Sequence, residues 1–491
     1  RDGSHRGRSL GFGVAQRFRF LDDRPGSTAR RFIISGACWF LVATIVGLTA
    51  ATELVAPDLV GARALLFPRI RPVHVNTNVF GFLSMLLIGC MLYAVCRLSR
   101  APLYSERLGN LSMWIWDFAT LAGMTTIPMG FTQSHEYAEY VFPIDVAIVV
   151  ALILLTYNVF RTLARRKEHL LYVTAWYAIG AFVATLVVYF LGNVMWHAKT
   201  GALTGMNDAE WSWFYAHNIF GTWITPLALG LSYFWIPRES DNPLYSHALS
   251  LLGFWPYFAF YLQVGTHHLI EAPAQPWLKL IAEINSVGLL IPVYAFLTNQ
   301  WLTLRGRWWK VPDSVVLKFI FAGTVMYFFT STEGSLEALP SFQRIAHFTN
   351  VTVGHAHLGL LGFAGFIACG AGYGVLREMY GEIWSERLAH LQYWLMLIGI
   401  GGFTFVLTGV GLLQGSAWRN GETVYRVLPE IFSFYVERAA LGCFIVAGAA
   451  IQVYNYVRTA QAYRQLPEER FFALETAGAE SLRPPAEVPG D

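Results

Sequence analysis

Charged residues are scarce in this sequence, and their scarcity limits the class of protein to which it can belong. Asp, Glu, Lys and Arg make up 14% of the 491 residues, whereas hydrophobic residues make up 55%. Soluble globular chains carry about 25% charged residues. The net charge is only +3, and no basic stripe alternates with aromatic side chains, so binding of nucleic acid is not expected. The composition predicts a protein that resides in a lipid bilayer.

Cysteine is also rare. The five cysteines lie inside apolar runs, and none forms a C-x-x-C or C-x-x-C-H sequence. This excludes a disulfide framework, a zinc knuckle and a covalently attached c-type haem. We therefore expect each cysteine to be a small, buried apolar residue.

Apolar runs of about 20 residues recur along the chain, and each can cross a hydrocarbon core about 30 Å thick. We predict an all-α, polytopic membrane fold of twelve transmembrane helices. A polar arm over 1–31 precedes the helical domain over 32–459, and a polar tail over 460–491 follows it. The arm is too long and polar to begin a secretory signal, so Phe32 should open a retained first helix. The predicted spans are 32–55, 74–98, 112–131, 141–161, 171–195, 211–236, 247–270, 277–304, 315–332, 347–375, 388–414 and 431–456.

The distribution of Lys and Arg predicts the orientation of these spans. The arm and the loops after spans 2, 4, 8 and 10 carry most of the basic residues, and such loops usually face the cytoplasm. Both termini are then cytoplasmic. Four arginines fall on the outer side against this trend, where an anionic group could attract them: Arg63, Arg69, Arg71 and Arg344.

Histidine is the residue type that carries the chemistry. Six of the thirteen histidines form a suggestive arrangement within or at the ends of four predicted spans, in the outer part of the membrane. Ionisable groups in lipid are costly and usually functional, so a purely structural role for the whole set is disfavoured. The six are His74 in span 2, His217 in span 6, His267 and His268 at the end of span 7, and His355 and His357 in span 10.

Their spacing suggests how the six divide among metal sites. Each helical residue turns by about 100°, so His355 and His357 face nearly opposite ways and can each bind a different haem. His267 and His268 are close enough in direction to converge on one small ion. With His217 they supply three imidazoles, which suits copper. His74 is then left as a second axial ligand of one haem.

The local sequences around these histidines resemble the haem–copper oxidase superfamily, and within it the C-family, the cbb3-type cytochrome c oxidases. The resemblance covers roughly 60–380, and it includes the order and spacing of the motifs. Residues 1–31, the last two spans and the tail rest on hydropathy alone. The motifs are RPVHVNTNVFGF from Arg71, QSHEYAE from Gln133, WFYAHN from Trp213, GTHHL from Gly265, STEG from Ser331 and VGHAHLGLLGF from Val353.

The resemblance implies a subunit I fold and a role for each histidine. His74 and His357 are similar to the axial pair of a low-spin haem b, and His355 to the proximal ligand of a high-spin haem. Copper would lie opposite, on His217, His267 and His268. The implied function is reduction of oxygen to water with electrons from cytochrome c, coupled to proton uptake and translocation.

A tyrosine and an acid extend the resemblance to the catalytic site. Many relatives carry a tyrosine four residues after the helix-6 histidine, but Gly221 occupies that position here. In the C-family the tyrosine comes from helix 7 and is cross-linked to the helix-6 histidine. Tyr261 matches it, and helical spacing would place it on the face of His268. Glu333 matches a family acid near the active site.

A polar stripe leads from the predicted cytoplasmic end of span 7 towards Tyr261. His247, Ser250 and Tyr257 share one helix face with it, and the stripe is similar to the family's single proton channel. His247 departs from the family, which usually has tyrosine there, so the detail of the channel is open.

The resemblance also implies further ligands, partners and a location. Glu136 matches an acid that helps to hold calcium, and Arg71 matches a partner of the haem propionates. The chain has no site for a covalent c-type haem, so electrons should arrive from membrane-anchored c-type cytochrome subunits. The implied location is the bacterial cytoplasmic membrane.

Two alternatives were weighed. Nitric oxide reductases, close relatives with iron in place of copper, carry a glutamate near the helix-6 histidine, whereas here Asn218–Thr222 contains no acid; they also lack the helix-7 tyrosine. A transporter with structural histidines would be supported by matching Gly- or Pro-broken spans in two halves, and the sequence shows no such repeat.

Overall fold

The structure is a computed structural model, and it describes residues 19–59, 61–133, 135–195 and 203–466. Most of the predicted arm and tail therefore lies outside the described residues. Within them the chain forms twelve long helices: α1 Ser27–Glu53, α2 Phe67–Ser99, α3 Glu106–Thr126, α4 Phe142–Ala164, α5 Val173–Val194, α6 Gly205–Ser240, α7 His247–Tyr261, α8 Pro276–Thr303, α9 Val315–Glu337, α10 Asn350–Tyr380, α11 Glu386–Arg419 and α12 Val424–Ala462. The predicted all-α fold of twelve helices is confirmed.

Ten of these helices are long and apolar enough to cross a membrane. The other two are α3 and α7. Helix α7 has 15 residues, and at about 1.5 Å per residue it is shorter than a hydrocarbon core. A 3-10 turn, Gly265–Leu269, follows it in the chain.

The helix boundaries differ from those expected at several places. Helix α1 begins at Ser27 rather than at Phe32, because Glu106 of α3 accepts hydrogen bonds from the backbone of Gly26 and Thr28 and caps the helix start. Helix α12 extends over Val424–Ala462, well beyond the predicted 431–456, since polar residues continue the helix past its apolar centre. All five cysteines are free, but Cys38 and Cys443 are exposed on the helix bundle rather than buried.

Three of the long helices widen into a π-helical segment that begins one to three residues after a histidine that the sequence singled out. The segments are Thr77–Leu83 after His74, Phe220–Ile224 after His217 and Leu358–Gly365 after His357. Such widened turns are rare and are found mostly at functional sites. The backbone therefore departs from regular helix where the candidate ligands lie.

A serine–asparagine clamp is repeated three times at one end of the bundle, where α3, α7 and α11 begin. In each copy a serine caps its own helix, and its backbone N–H and C=O both bond to an asparagine of the next helix. The pairs are Ser105 with Asn158 (3.1 and 2.9 Å), Ser246 with Asn299 (2.9 and 2.7 Å) and Ser385 with Asn455 (3.0 and 2.8 Å). The clamp fixes α3 to α4, α7 to α8 and α11 to α12.

We expect Asn158→Ala to lower the free energy of unfolding by about 1–3 kcal/mol, because it leaves the backbone N–H of Ser105 without a partner and removes one of the two hydrogen bonds to its carbonyl. A fall in the thermal inactivation temperature of the purified protein would measure this. Thr125→Ala is the control, since Thr125 is exposed and bonds only to carbonyls of its own helix. Equal midpoints for the two variants would show that the clamp contributes nothing.

Candidate functional site

Three of the predicted ligands converge on one point. His217 lies on α6, and His267 and His268 lie in the 3-10 turn after α7, with one ring nitrogen of each within 4.8 Å of the others. His268 Nε2 is 3.1 Å from His217 Nδ1 and 3.2 Å from His267 Nε2. His267 Nδ1 lies 2.8 Å from the Ser286 hydroxyl on α8, which orients the ring. Three imidazoles at this separation fit one copper or zinc ion.

His355 faces this triad across an internal cavity of about 240 Å³, which both line together with Tyr261. Its Nδ1 lies 3.4 Å from a carboxylate oxygen of Glu333 on α9. Metal-bound histidines commonly have such a partner on the second ring nitrogen, which holds the other nitrogen towards the metal. The structure therefore brings Glu333 to His355, and it leaves Nε2 available to the cavity.

His74 and His357 form a separate pair on the other side of α10. Their rings are nearly parallel, at 19°, with centroids 6.0 Å apart. Each Nδ1 lies 2.8 Å from a backbone carbonyl oxygen, of Ala43 for His74 and of Val353 for His357. The Nε2 atoms are thus free for two metal–nitrogen bonds of about 2 Å each, which the separation of the rings accommodates.

A glycine of α1 makes room for this pair. A Cβ atom at Gly47 would lie 2.4 Å from Cε1 of His74, closer than atoms can approach. Helices α2 and α10 supply the two imidazoles, and α1 leaves the space that His74 needs. The pair fits the two axial ligands of a haem.

Tyr261 packs against the triad. Its ring centroid is 4.6 Å from that of His217, with 25° between the planes. A Cβ atom at Gly221 would lie 1.7 Å from the Tyr261 ring. The glycine at the position where other families carry tyrosine thus creates the space for Tyr261. His217 Nε2 is buried and has no hydrogen-bond partner among the described residues.

Tyr261 lies beside His217 for a reason other than the helical spacing from His268 that the sequence suggested. The expected shared face required α7 to remain helical through His268. Instead, α7 ends at Tyr261 and the two histidines follow in a 3-10 turn. The premise of a shared helix face was wrong, because the backbone leaves the α-helix at Leu262. Proximity is instead achieved through α6, because His217 and Gly221 both lie against the Tyr261 ring.

The predicted polar stripe is partly continuous. Tyr257 is buried, donates to the Gly221 carbonyl at 2.7 Å and lies 5.2 Å from the Tyr261 ring centroid. Ser250 is buried and accepts from Asn299 at 3.0 Å. His247 is exposed and packs edge-on against the ring of Trp176, with centroids 5.3 Å apart.

Two further tyrosines lie between Ser250 and Tyr257. The hydroxyls of Tyr233 and Tyr177 lie 3.6 and 3.7 Å from the position of a Cβ atom at Gly253, and both are buried without a partner among the described residues. They come from α5 and α6, so the periodicity of α7 gave no signal for them.

The residues predicted to bind calcium and a haem propionate lie together near the start of α2. Arg71 Nη2 is 2.5 Å from Glu136 Oε1. Glu139, which the sequence did not single out, is buried beside them and accepts from Asn76 at 2.8 Å. Burial raises the pKa of the Glu139 carboxyl to about 7, despite the opposing hydrogen bond from Asn76. The only sequence signal for it was a second acid three residues after Glu136.

Comparison with known proteins identifies the family of this chain. Residues 27–462 match the family model described as "Cytochrome C and Quinol oxidase polypeptide I". The cbb3-type cytochrome c oxidase subunit CcoN1 of Stutzerimonas stutzeri is 30% identical over 448 residues, covering 88% of this chain and 94% of the relative. Cytochrome c oxidase subunit 1 of Rhodobacter capsulatus is 28% identical over 453 residues, covering 88% and 85%.

A solved structure supports the fold. A haem–copper terminal oxidase dimer determined by electron cryomicroscopy superposes with a TM-score of 0.73 at 15% identity, covering 92% of this chain and 90% of that one. The chain belongs to the cytochrome c and quinol oxidase polypeptide I family, the subunit I family of the haem–copper oxidases, and is similar over nearly its full length to the cbb3-type subunit.

Proposed function

We propose that this chain is the catalytic subunit of a terminal respiratory oxidase that converts one oxygen molecule, four electrons and four protons into two water molecules. The observation that carries the proposal is the cavity in which His355 faces the histidine triad while Tyr261 packs on His217. His355 and the triad would hold the metals that bind oxygen, and Tyr261 would offer an oxidisable side chain beside them.

We assign the six histidines to three groups. His74 and His357 hold a low-spin haem b, His355 holds a high-spin haem b, and the triad holds copper. The separation of the His74 and His357 rings and the two Nδ1 contacts to backbone carbonyls support the first assignment. When bound, these groups supply electron entry and oxygen binding.

Glu333 and Tyr261 act on this site in different ways. Glu333 accepts a hydrogen bond from His355 Nδ1 and orients the imidazole, which also makes it a stronger ligand. Tyr261 supplies one electron and one proton when the O–O bond is cleaved. The unpartnered Nε2 of His217 beside the Tyr261 ring is compatible with the covalent link known in the family.

Protons for water formation reach Tyr261 along α7. The path begins at His247 and continues through Ser250 and Tyr257. The hydroxyls of Tyr233 and Tyr177 bridge the gap, since buried unpartnered hydroxyls are where ordered water binds. This uptake is coupled to proton translocation.

The cluster formed by Arg71 and Glu136 binds the anionic edge of the haems. Arg71 pairs with a haem propionate, and Glu136 contributes to a calcium site beside it. Their proximity supports a shared role, because a cation and a carboxylate can hold a propionate and a calcium ion next to each other.

The chain works with other subunits in a bacterial cytoplasmic membrane, with both termini on the cytoplasmic side. Its sequence has no C-x-x-C-H motif, so membrane-anchored c-type cytochrome subunits deliver the electrons. The apolar outer surface of the helices is covered by lipid and by those subunits.

We expect the purified complex to consume oxygen at a rate far above its rate of nitric oxide reduction, by at least about a hundredfold. Nitric oxide reduction is the alternative function, but Tyr261 is present and no acid follows His217 before Thr222. Oxygen and nitric oxide electrodes with the same artificial donor measure both rates. Dominant nitric oxide turnover would reverse the assignment.

A further inference from the structure

Arg438 is a charged residue deep inside α12, the last of the helices that can span the membrane. Its Nε is buried and lacks a hydrogen-bond partner, and Arg438 forms no ion pair with a carboxylate in the part of the chain that the structure describes. A charge in a membrane span is costly to keep and is a functional candidate by default. None of the six histidine assignments accounts for it.

The surroundings of Arg438 connect it to the His74–His357 pair. Its guanidinium carbon lies 5.5 Å from the centroid of the Phe403 ring, in cation–π geometry. The Phe403 ring packs on His357, with centroids 4.6 Å apart. The guanidinium therefore contacts the phenyl ring, the phenyl ring contacts His357, and the His357 ring is nearly parallel to that of His74.

Arg71 lies one helical turn before His74 on α2, but it is paired with Glu136. Arg438 is therefore a positive charge near the His74–His357 pair, and no carboxylate among the described residues offsets this charge. In a buried site such a charge is screened much less than in water.

We propose that Arg438 raises the reduction potential of the haem held by His74 and His357. One electron from a reduced carrier lowers the net charge of this haem by one, so a nearby cation destabilises the oxidised form relative to the reduced form. The potential in turn determines how readily electrons enter the chain. The inference rests on the proposed assignment of a haem to this pair.

Redox titration of the optical spectrum of the purified holoenzyme tests the proposal, with wild type, Arg438→Gln and Arg438→Lys compared. We expect Arg438→Gln to lower the ratio of reduced to oxidised low-spin haem about tenfold at a fixed potential, equivalent to about 59 mV for one electron. Arg438→Lys keeps the charge and should stay close to wild type. Arg426→Gln is the matched control on the same helix, since Arg426 is exposed and pairs with Glu422.

Each outcome decides for or against the role of Arg438. An unchanged potential in Arg438→Gln, or equal shifts in the Gln and Lys variants, would overturn the proposal and leave Arg438 as a packing residue. If Arg438→Gln does not assemble, the Arg438→Lys variant decides. A wild-type potential in that variant supports the proposal, and a tenfold fall in its ratio of reduced to oxidised low-spin haem contradicts it. A low-spin signal absent already from the wild type would instead refute the haem assignment.

Discussion

Replacing Tyr261 with phenylalanine is expected to reduce oxygen consumption by at least about a hundredfold, the lower end of what a positioned proton donor contributes. Cleavage of O–O without release of partly reduced oxygen requires four electrons almost at once. Three can come from the metal centre, and the fourth needs an oxidisable group next to it. Tyr261 packs against His217 and lines the cavity together with the triad.

The substitution removes a hydroxyl alone, so haem and copper content should stay at the wild-type level. Oxygen electrode rates together with optical spectra measure the two properties on the same sample. Tyr454→Phe on the exposed face of α12 is the matched control and should keep its activity. Near-normal turnover in a spectrally normal Tyr261→Phe enzyme would assign Tyr261 to packing alone.

Either His74→Ala or His357→Ala is expected to remove one haem from each chain and abolish its low-spin spectrum. Each variant takes away one of two parallel imidazoles whose Nδ1 atoms are already held by backbone carbonyls. Copper should be retained, because the triad lies in the cavity on the other side of α10.

Haem extraction and copper analysis of the same preparations check this expectation. His169→Ala, in the exposed loop between α4 and α5, should keep both haems and copper. Copper loss with both haems intact would contradict the division of the six histidines.

Hydropathy predicted the twelve helices well, because runs of about 20 apolar residues have few alternatives in a membrane. It was less accurate at their ends. Capping by Glu106 begins α1 early, and this contact joins residues far apart in sequence. The same limit applies to the serine–asparagine clamps, whose partners lie 53, 53 and 70 positions apart.

The candidate site could be predicted from the sequence where helical geometry held. His355 and His357 lie on opposite sides of α10, as their spacing implied. Tyr261 reached His217 for a different reason, since α7 ends at Tyr261 and the space at Gly221 admits the ring. Glu139, Tyr177 and Tyr233 come from other segments, so the pattern along α7 contained no trace of them.

Metal content of the purified complex, measured with its optical spectrum, tests the central assignment most directly. We predict two protohaems and one copper ion for each copy of this chain, not counting haems covalently attached to partner subunits. One haem should show a six-coordinate low-spin spectrum and the other a high-spin spectrum. Non-haem iron in place of copper, or a single haem per chain, would contradict the account.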